Sequence, residues 1–456
     1  MKPTSRRHVA VLGGGWAGCA AAVELTANGQ TVSLFEAARI PGGRARRVDL
    51  DGNALDNGQH ILLGAYDASL RLMRQVGIDL DQALLRLPLQ MRYPPADGIG
   101  MTLVAPRLPA PWHLAVGVWR AAGLRRADKL ALARFSTTAR WMDWRLNVDC
   151  SVSELLNRYD QTATLIRLLW RPLCLAALNT SPEQASAQVF LQVLRDSLGG
   201  RRAASDMLLP RVDLSALFPE QAMRWIAAQG GEVEYGAAAV NLRAEGKQWR
   251  IGFRNDARPA VVVDAVVIAT PPEPAALLLE TAAEGIADPN VQTALNAMRG
   301  FDYRAITTCY LQYDADLRLP HPFYALTDNV GQQAPGQFVF DRGQLHAAQA
   351  GLLAVVISDA DTSALADHAL LAAHLGQQLA QAFGQPCLAQ PRWSRVITEK
   401  RATFACTPGL QRPGLATGLS SVVLAGDYVA STYPATIETA VRSGVAAAQA
   451  LLDKAQ

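Results

Sequence analysis

The chain has 456 residues, half of them hydrophobic and 18 % charged, with 43 Lys and Arg against 40 Asp and Glu for a net charge of +3. That length allows about three domains, the low charge fits a large core or a large apolar site, and the balance selects no acidic or nucleic-acid partner. The six cysteines contain no CxxC pair, so no metal or redox pair is expected, and no run of about 18 apolar residues marks a membrane-spanning helix.

Arg6-Arg7 precede Val9–Leu12, an apolar run that reads as a buried parallel strand rather than as a cleaved export signal. Gly13, Gly15 and Gly18 follow in G-x-G-x-x-G spacing, before an Ala-rich segment of high helix propensity that Asn28-Gly29 stops. Thr31–Phe35 reads as a second strand, with Glu36 at its end. Gly13 permits a tight turn, Gly15 lets a pyrophosphate approach the backbone, and Gly18 lets helix and strand pack closely. The helix start offers free N–H groups to phosphate, and an acid about 20 residues on accepts from a ribose diol.

Next comes Gly42-Gly43-Arg44, which suits a flat ring system lying against the backbone with Arg44 near phosphate or flavin. Asp56-Asn-Gly-Gln-His60 reads either as a plain loop or as a flavin-edge loop aiming His60 at substrate. Residues 67–79 have helical periodicity, and prolines recur from Pro88 to Pro111. From Trp112 to Asn147, Trp112, Trp119, Trp141 and Trp144 interleave with arginines. This pattern fits a helix on an anionic membrane surface, or an ordinary helical subdomain with a solvated arginine face. Residues 165–178 are strongly apolar, and a helix is expected over 183–198 with Ser181 as N-cap and Pro182 in its first position.

Alternating patterns then return, with a helix over Phe218–Gln229, a strand at Glu232–Tyr235 and hairpin strands at 240–242, 249–253 and 260–264. Ala265–Ala269 reads as a buried strand that adds to the first sheet, and 275–300 as helical. Strands at 307–313 and 352–357 are followed by a long helix near 363–383. The last unit is a strand, Val422–Asp427, followed by a helix opening at Thr436 and running to the C-terminus. An acid at a strand end before a helix start is a second polar clamp, in which Asp427 takes a ribitol hydroxyl. The single-residue cysteines point to reduced thiols and a cytoplasmic protein, associated peripherally with membrane if at all.

These motifs together resemble the superfamily of flavin-containing amine oxidases and phytoene desaturases. The matching pieces are Gly13-x-Gly15-x-x-Gly18, Glu36, Gly42-Gly43-Arg44, Val266–Pro272, Ala425-Gly-Asp427 and Ile437–Gly444, so the resemblance spans the chain. Leu55–Tyr66, Leu169–Pro182 and Arg401–Phe404 are most similar to the hydroxysqualene dehydroxylases of hopanoid biosynthesis. The resemblance implies an α/β fold, with a Rossmann-type FAD-binding domain interleaved with an α+β substrate domain and a helical lid. The expected cofactor portions are 1–85, 205–290 and 392–456, and the substrate portions 86–204 and 291–391, with 112–200 mostly helical.

It further implies that Gly13, Gly14, Gly15, Ala17 and Gly18 hold the FAD pyrophosphate and Glu36 the adenosine ribose. Gly43 and Arg44 lie along pyrophosphate and flavin, Val240 meets adenine through its backbone, and Gly58 lies on the flavin side. Asp427 takes the ribitol, with Thr436 and Ile437 at the flavin end. His60 is the candidate catalytic acid, because histidine titrates near neutral pH, although it serves equally as a structural histidine beside the flavin. No metal is expected. The implied partners are an apolar C30 isoprenoid alcohol and an electron donor that reloads the flavin, with no nucleic acid. A carotenoid-type desaturase and a non-catalytic flavin or lipid carrier are the other readings. The chain departs from the pattern at Ala38, where many members carry an arginine for phosphate, and at Thr439, where glycine is commoner. Amine oxidation is not expected. Thr436 stands where many amine oxidases place an aromatic residue, and no lysine lies between Lys247 and Lys400.

Overall fold

The computed structural model describes residues 6–453 except 51, 99, 330–332 and 364. Its organising layer is a parallel five-stranded sheet in the order Glu232–Tyr235, Thr31–Glu36, His8–Leu12, Ala265–Ile268, Val422–Leu424. Three distant parts of the sequence therefore share one sheet, and Val9–Leu12 pairs with Ala265–Ile268 as the apolar run predicts. Val9–Leu12 and Ala265–Ile268 are apolar throughout because both of their faces are covered. Helices Trp16–Ala27, Pro219–Ala228 and Ile437–Asp453 share one core with Val9, Val11, Ala265 and Val267. Residues 454–456 lie outside the described residues, so the last helix is followed to Asp453.

Two glycines set the helix packing. A Cβ at Gly18 would stand 1.9 Å from the Gly13 carbonyl oxygen, and one at Gly444 would stand 2.1 Å from that of Ala17. Helix Trp16–Ala27 thus lies tight against both the first turn and the last helix.

A second, antiparallel sheet runs Phe323–Ala325, Phe338–Asp341, Leu352–Ala360, Tyr303–Gln312, Trp393–Phe404. Helix His368–Phe383 packs on it. Strand Trp393–Phe404 pairs with Tyr303–Gln312 from end to end, so the division expected at 392 falls instead after this strand.

Residues 112–198 form several separate helices. The expected helical stretch 112–147 divides into Trp112–Arg120 and Arg126–Trp141. The apolar run near 165 contains a π-helical turn, Ile166–Trp170, leading into Arg171–Leu178. Pro172 follows that turn directly, within an unbroken run of helical backbone. The helix expected from Ser181 begins instead at Ala187, with Ser186 as N-cap accepting from the Val189 amide. Tertiary hydrogen bonds explain the shift. The Ser186 amide donates to the Cys406 carbonyl at 2.7 Å, and its hydroxyl to Asp149 Oδ2 at 2.6 Å. Those bonds hold the backbone extended at Ser186, so the helix starts only beyond it. The stretch 275–300 is two helices, Pro272–Ala282 and Pro289–Arg299, the second capped by Asp288. Asn179, at the end of helix Arg171–Leu178, joins these helices to the antiparallel sheet. It accepts from the Asp359 amide at 2.6 Å and donates to Thr403 Oγ1 at 3.0 Å.

Candidate functional site

The carboxyl ends of the parallel strands lead into the segments from which the expected site residues come. In an open parallel sheet this edge is where ligands bind. Strand His8–Leu12 runs into Gly13, whose φ of +110° and near contact with the Ala269 carbonyl exclude a side chain. Gly15 is the N-cap of helix Trp16–Ala27, which has no side-chain cap and no acid in its first turn. That leaves the helix start, including Ala17 and Gly18, to an anionic ligand. Gly15 and Gly43 face each other. A Cβ on Gly15 would have only Gly43 within 4 Å, at 3.7 Å from its Cα, and one on Gly43 would meet only the Gly15 Cα at 3.4 Å. The Gly42 amide donates to the Gly14 carbonyl at 2.9 Å, which brings the two glycine turns edge to edge. This cradle, free of side chains beside an uncapped helix start, fits a pyrophosphate.

Glu36 stands at the end of its strand, as its position in the sequence predicts. One carboxylate oxygen accepts from the Gly14 amide at 2.6 Å and the other from the Ala38 amide at 2.7 Å. It therefore fixes the glycine turn, and each oxygen keeps a lone pair for a ribose hydroxyl. Ala38, lacking the arginine common at its position, contributes its backbone to this acid. Val240 sits in an irregularity between Ala239 and Asn241 and has no register partner.

At the far side Asp427 follows Gly426 and pairs with Arg44 at 2.5 Å, while Arg44 also donates to the Ala402 carbonyl at 2.7 Å. The two residues expected along pyrophosphate, flavin and ribitol thus form one ion pair that spans the first and last units. Thr436 and Ile437 open the last helix. The Thr436 hydroxyl accepts from the Thr439 amide at 3.2 Å, and Thr439 donates to the Pro434 carbonyl at 2.8 Å. Threonine in place of glycine at 439 is accommodated as part of this helix cap.

The Asp56–His60 loop completes the arrangement. The His60 ring places Nδ1 2.9 Å from the Gly58 carbonyl, which only accepts, so Nδ1 carries the hydrogen and the neutral ring presents Nε2 as an acceptor. Burial pushes the His60 pKa below the ordinary histidine value, and the nearby Arg44 charge adds to this against the Gly58 hydrogen bond. A lowered pKa leaves the resting ring neutral and makes its protonated form scarcer and more acidic than that of an ordinary histidine. Gly58 lies close to Thr308, since a Cβ there would stand 3.9 Å from Thr308 Oγ1.

Several residues that hold the site had no role of their own assigned from the sequence. Asp56 is buried, and its Oδ1 accepts from the Leu214 amide at 2.9 Å. Burial pushes its pKa up to about 6, against the pull of Arg342, whose Nη2 lies 3.7 Å from Asp56 Oδ2. Arg342 also donates to Gln59 Oε1 at 3.2 Å, so a cation from the antiparallel sheet braces the loop at two points. Arg412 gathers the carbonyls of Asp427, Tyr428, Val429, Ser431 and Tyr433. Glu438 lay within a recognised motif without an assigned role. It accepts from the Ala68 and Ser69 amides at 3.0 Å each, tying the last helix to helix Asp67–Gln75.

The residues present fit FAD. Besides the cradle, Thr270 Oγ1, Thr308 Oγ1 and Tyr428 Oη are buried without a hydrogen-bond partner in the chain. Each lies on or beside a segment following a strand end or facing Gly58.

Comparison with known proteins agrees with this geometry. A family model described as flavin containing amine oxidoreductase matches residues 16–452. The chain is 32 % identical to a hydroxysqualene dehydroxylase of Rhodopseudomonas palustris over 98 % of both chains. It is 25 % identical to a 15-cis-phytoene desaturase of Synechococcus elongatus over 98 % of this chain and 96 % of the other. Among solved structures, cyclohexylamine oxidase from Brevibacterium oxydans superposes with a TM-score of 0.69 at 16 % identity, over 98 % of this chain and 99 % of the other. That last likeness is one of fold. With the two-glycine cradle, the acid at the second strand and a match over nearly every residue, the chain belongs to the flavin-containing amine oxidoreductase family and is an FAD-dependent oxidoreductase.

Proposed function

We propose that this enzyme converts hydroxysqualene to squalene by reductive dehydroxylation. The observation that carries the reading is the near-full-length likeness to the hydroxysqualene dehydroxylase of Rhodopseudomonas palustris. When bound and reduced, FAD supplies a hydride. One proton and the departing hydroxide leave as water, and an external donor reloads the cofactor. The chain's own residues position and protect this exchange. The glycine cradle, Glu36 and the Arg44–Asp427 pair hold the cofactor at the sheet edge. The apolar segments Ile166–Leu178 and Ala187–Leu198 supply surface suited to a hydrocarbon. His60 is the proton donor of the proposal: burial makes its imidazolium a stronger acid than an ordinary histidine, suited to a poor leaving group.

The second reading is desaturation of a carotenoid precursor, favoured by the likeness to 15-cis-phytoene desaturase. The two run electrons in opposite directions. Under anaerobic conditions, hydroxysqualene is expected to reoxidise the reduced enzyme and yield squalene; reduction of the oxidised enzyme by phytoene would establish the desaturase instead. His60→Phe is expected to keep FAD yet lose about 10²–10⁴-fold in turnover. In the wild type, single-turnover rate should rise as pH falls through a pKa below the ordinary 6.5 of histidine, and the variant should lack that limb. A profile identical in both proteins removes His60 from the acid role.

A further inference from the structure

Helix Trp112–Arg120 is turned inside out. A surface helix ordinarily buries its apolar stripe and exposes its polar face. Here Trp112, Ala115, Val116 and Trp119, spaced on one face, point away from the core, with Trp112 65 % and Trp119 73 % exposed. The residues buried are His113 and Gly117. Gly117 is needed for that approach, since a Cβ there would lie 3.2 Å from the Ala105 Cα.

Helix Arg126–Trp141 lies alongside and runs the other way. At one end Lys129 donates to the Trp119 carbonyl at 2.7 Å; at the other the charge of Arg140 bears on His113. Leu130 and Trp141, 64 % and 88 % exposed, extend the apolar surface to both ends of the pair. Six of the eleven large hydrophobic side chains exposed among the described residues fall between Leu108 and Val148. Single exposed apolar residues are ordinary, but such a concentration marks a binding surface.

The charge of this segment selects the partner. Residues 107–147 hold eight basic and two acidic residues, a net +6, which leaves −3 over the rest of a chain whose total is +3. Asp128 is buried, donating nothing to the outer face: it accepts from the Arg125 amide and Thr162. Tryptophans at an apolar–aqueous boundary, ringed by arginines, match a bilayer bearing anionic headgroups.

We propose that these two helices dock the enzyme on an anionic lipid bilayer, with the tryptophans entering the headgroup boundary and the arginines contacting phosphate. This deepens the functional reading in one respect, since a water-insoluble substrate reaches the enzyme from the membrane. The docking itself is tested without substrate. The full-length enzyme with FAD bound is sedimented with vesicles of phosphatidylcholine alone or mixed with phosphatidylglycerol, at low and high salt. The wild type should pellet with the mixed vesicles and be released by salt, because screening weakens attraction to a charged surface. Arg125, Arg126 and Arg134 all changed to Glu should lower binding at least about 100-fold. Trp112, Trp119 and Trp141 all changed to Ser should lower it about tenfold or more at low salt as well. FAD absorbance unchanged in both variants establishes that they are folded. Wild-type enzyme left in the supernatant, or either variant bound like wild type, overturns the proposal. So does a patch that binds a second copy or RNA, seen as loss of self-association or RNA binding in the variants with vesicle binding intact. Failure of dehydroxylation with vesicle binding preserved counts against the reaction alone.

Discussion

Helix Trp16–Ala27 buries nine of its twelve residues against the parallel sheet and the last helix, whereas helix Trp112–Arg120 buries two of nine. Both are mostly apolar. In the first, alanines and Gly18 permit contact on nearly every side, and the uncapped start faces the glycine cradle. In the second, large rings stand outward and small or polar residues face the core. The comparison shows that apolar content alone does not tell a helix that builds a cofactor site from one that meets a partner. Side-chain size on each face does.

Breaking the buried side should have the largest effect. Gly18→Val places a side chain where a Cβ alone already meets the Gly13 carbonyl, so the helix must move from the cradle. The expected outcome is protein without FAD, or insoluble protein, read from flavin absorbance of the purified fraction; stoichiometric FAD in this variant would contradict the close-packing account. Next is Trp170→Ala. Trp170 is buried with its ring 4.9 Å from that of Phe135 and its Nε1 donating to Gln161. A loss of about 3–5 kcal/mol in unfolding free energy is expected by denaturant titration.

The buried charge of the cofactor side gives a smaller effect that depends on pH. Asp56 has a folded-state pKa of about 6 against an ordinary 3.8. Its favourable contribution is therefore full below the unfolded value and lost as pH rises through about 6, by at most about 3 kcal/mol. Asp56→Asn lacks this titration, so its stability relative to wild type should improve from pH 4 toward about pH 7. A difference constant over that range would show that Arg342 fully offsets the burial of the carboxylate. The smallest effect sharpens the contrast from the other side. Trp119→Ala should change unfolding free energy by no more than about 0.5 kcal/mol, although it removes the same kind of side chain as Trp170→Ala. A large loss of stability there would mean that the outward ring is part of the core after all.

Much of the cofactor side was legible because its determinants are local. Gly13, Gly15 and Gly18 announce a turn and a close approach through spacing, and Glu36 ends a strand that carries Val32, Leu34 and Phe35. The Trp and Arg interleaving of 112–147 was equally visible, but whether the rings faced inward was not. Residues that act through distant partners left no local trace. Arg342 meets the Asp56–Gln59 loop from nearly 300 positions away, and Arg412 gathers its carbonyls only once the chain after Asp427 has turned back. The helix start moved from Ser181 to Ser186 for the same reason, since a bond to Cys406 outweighed the local Ser-Pro signal.

By itself the sequence determined the parallel sheet, the dinucleotide turn and the family, because backbone conformation and strand burial depend on which residues stand next to one another. Only the tertiary structure decided that His60 rests neutral with Nε2 free, that Arg44 and Asp427 pair, and that the stripe of helix Trp112–Arg120 faces outward. Those outcomes depend on desolvation and on charges brought together across the fold, and neither exists until the chain has packed.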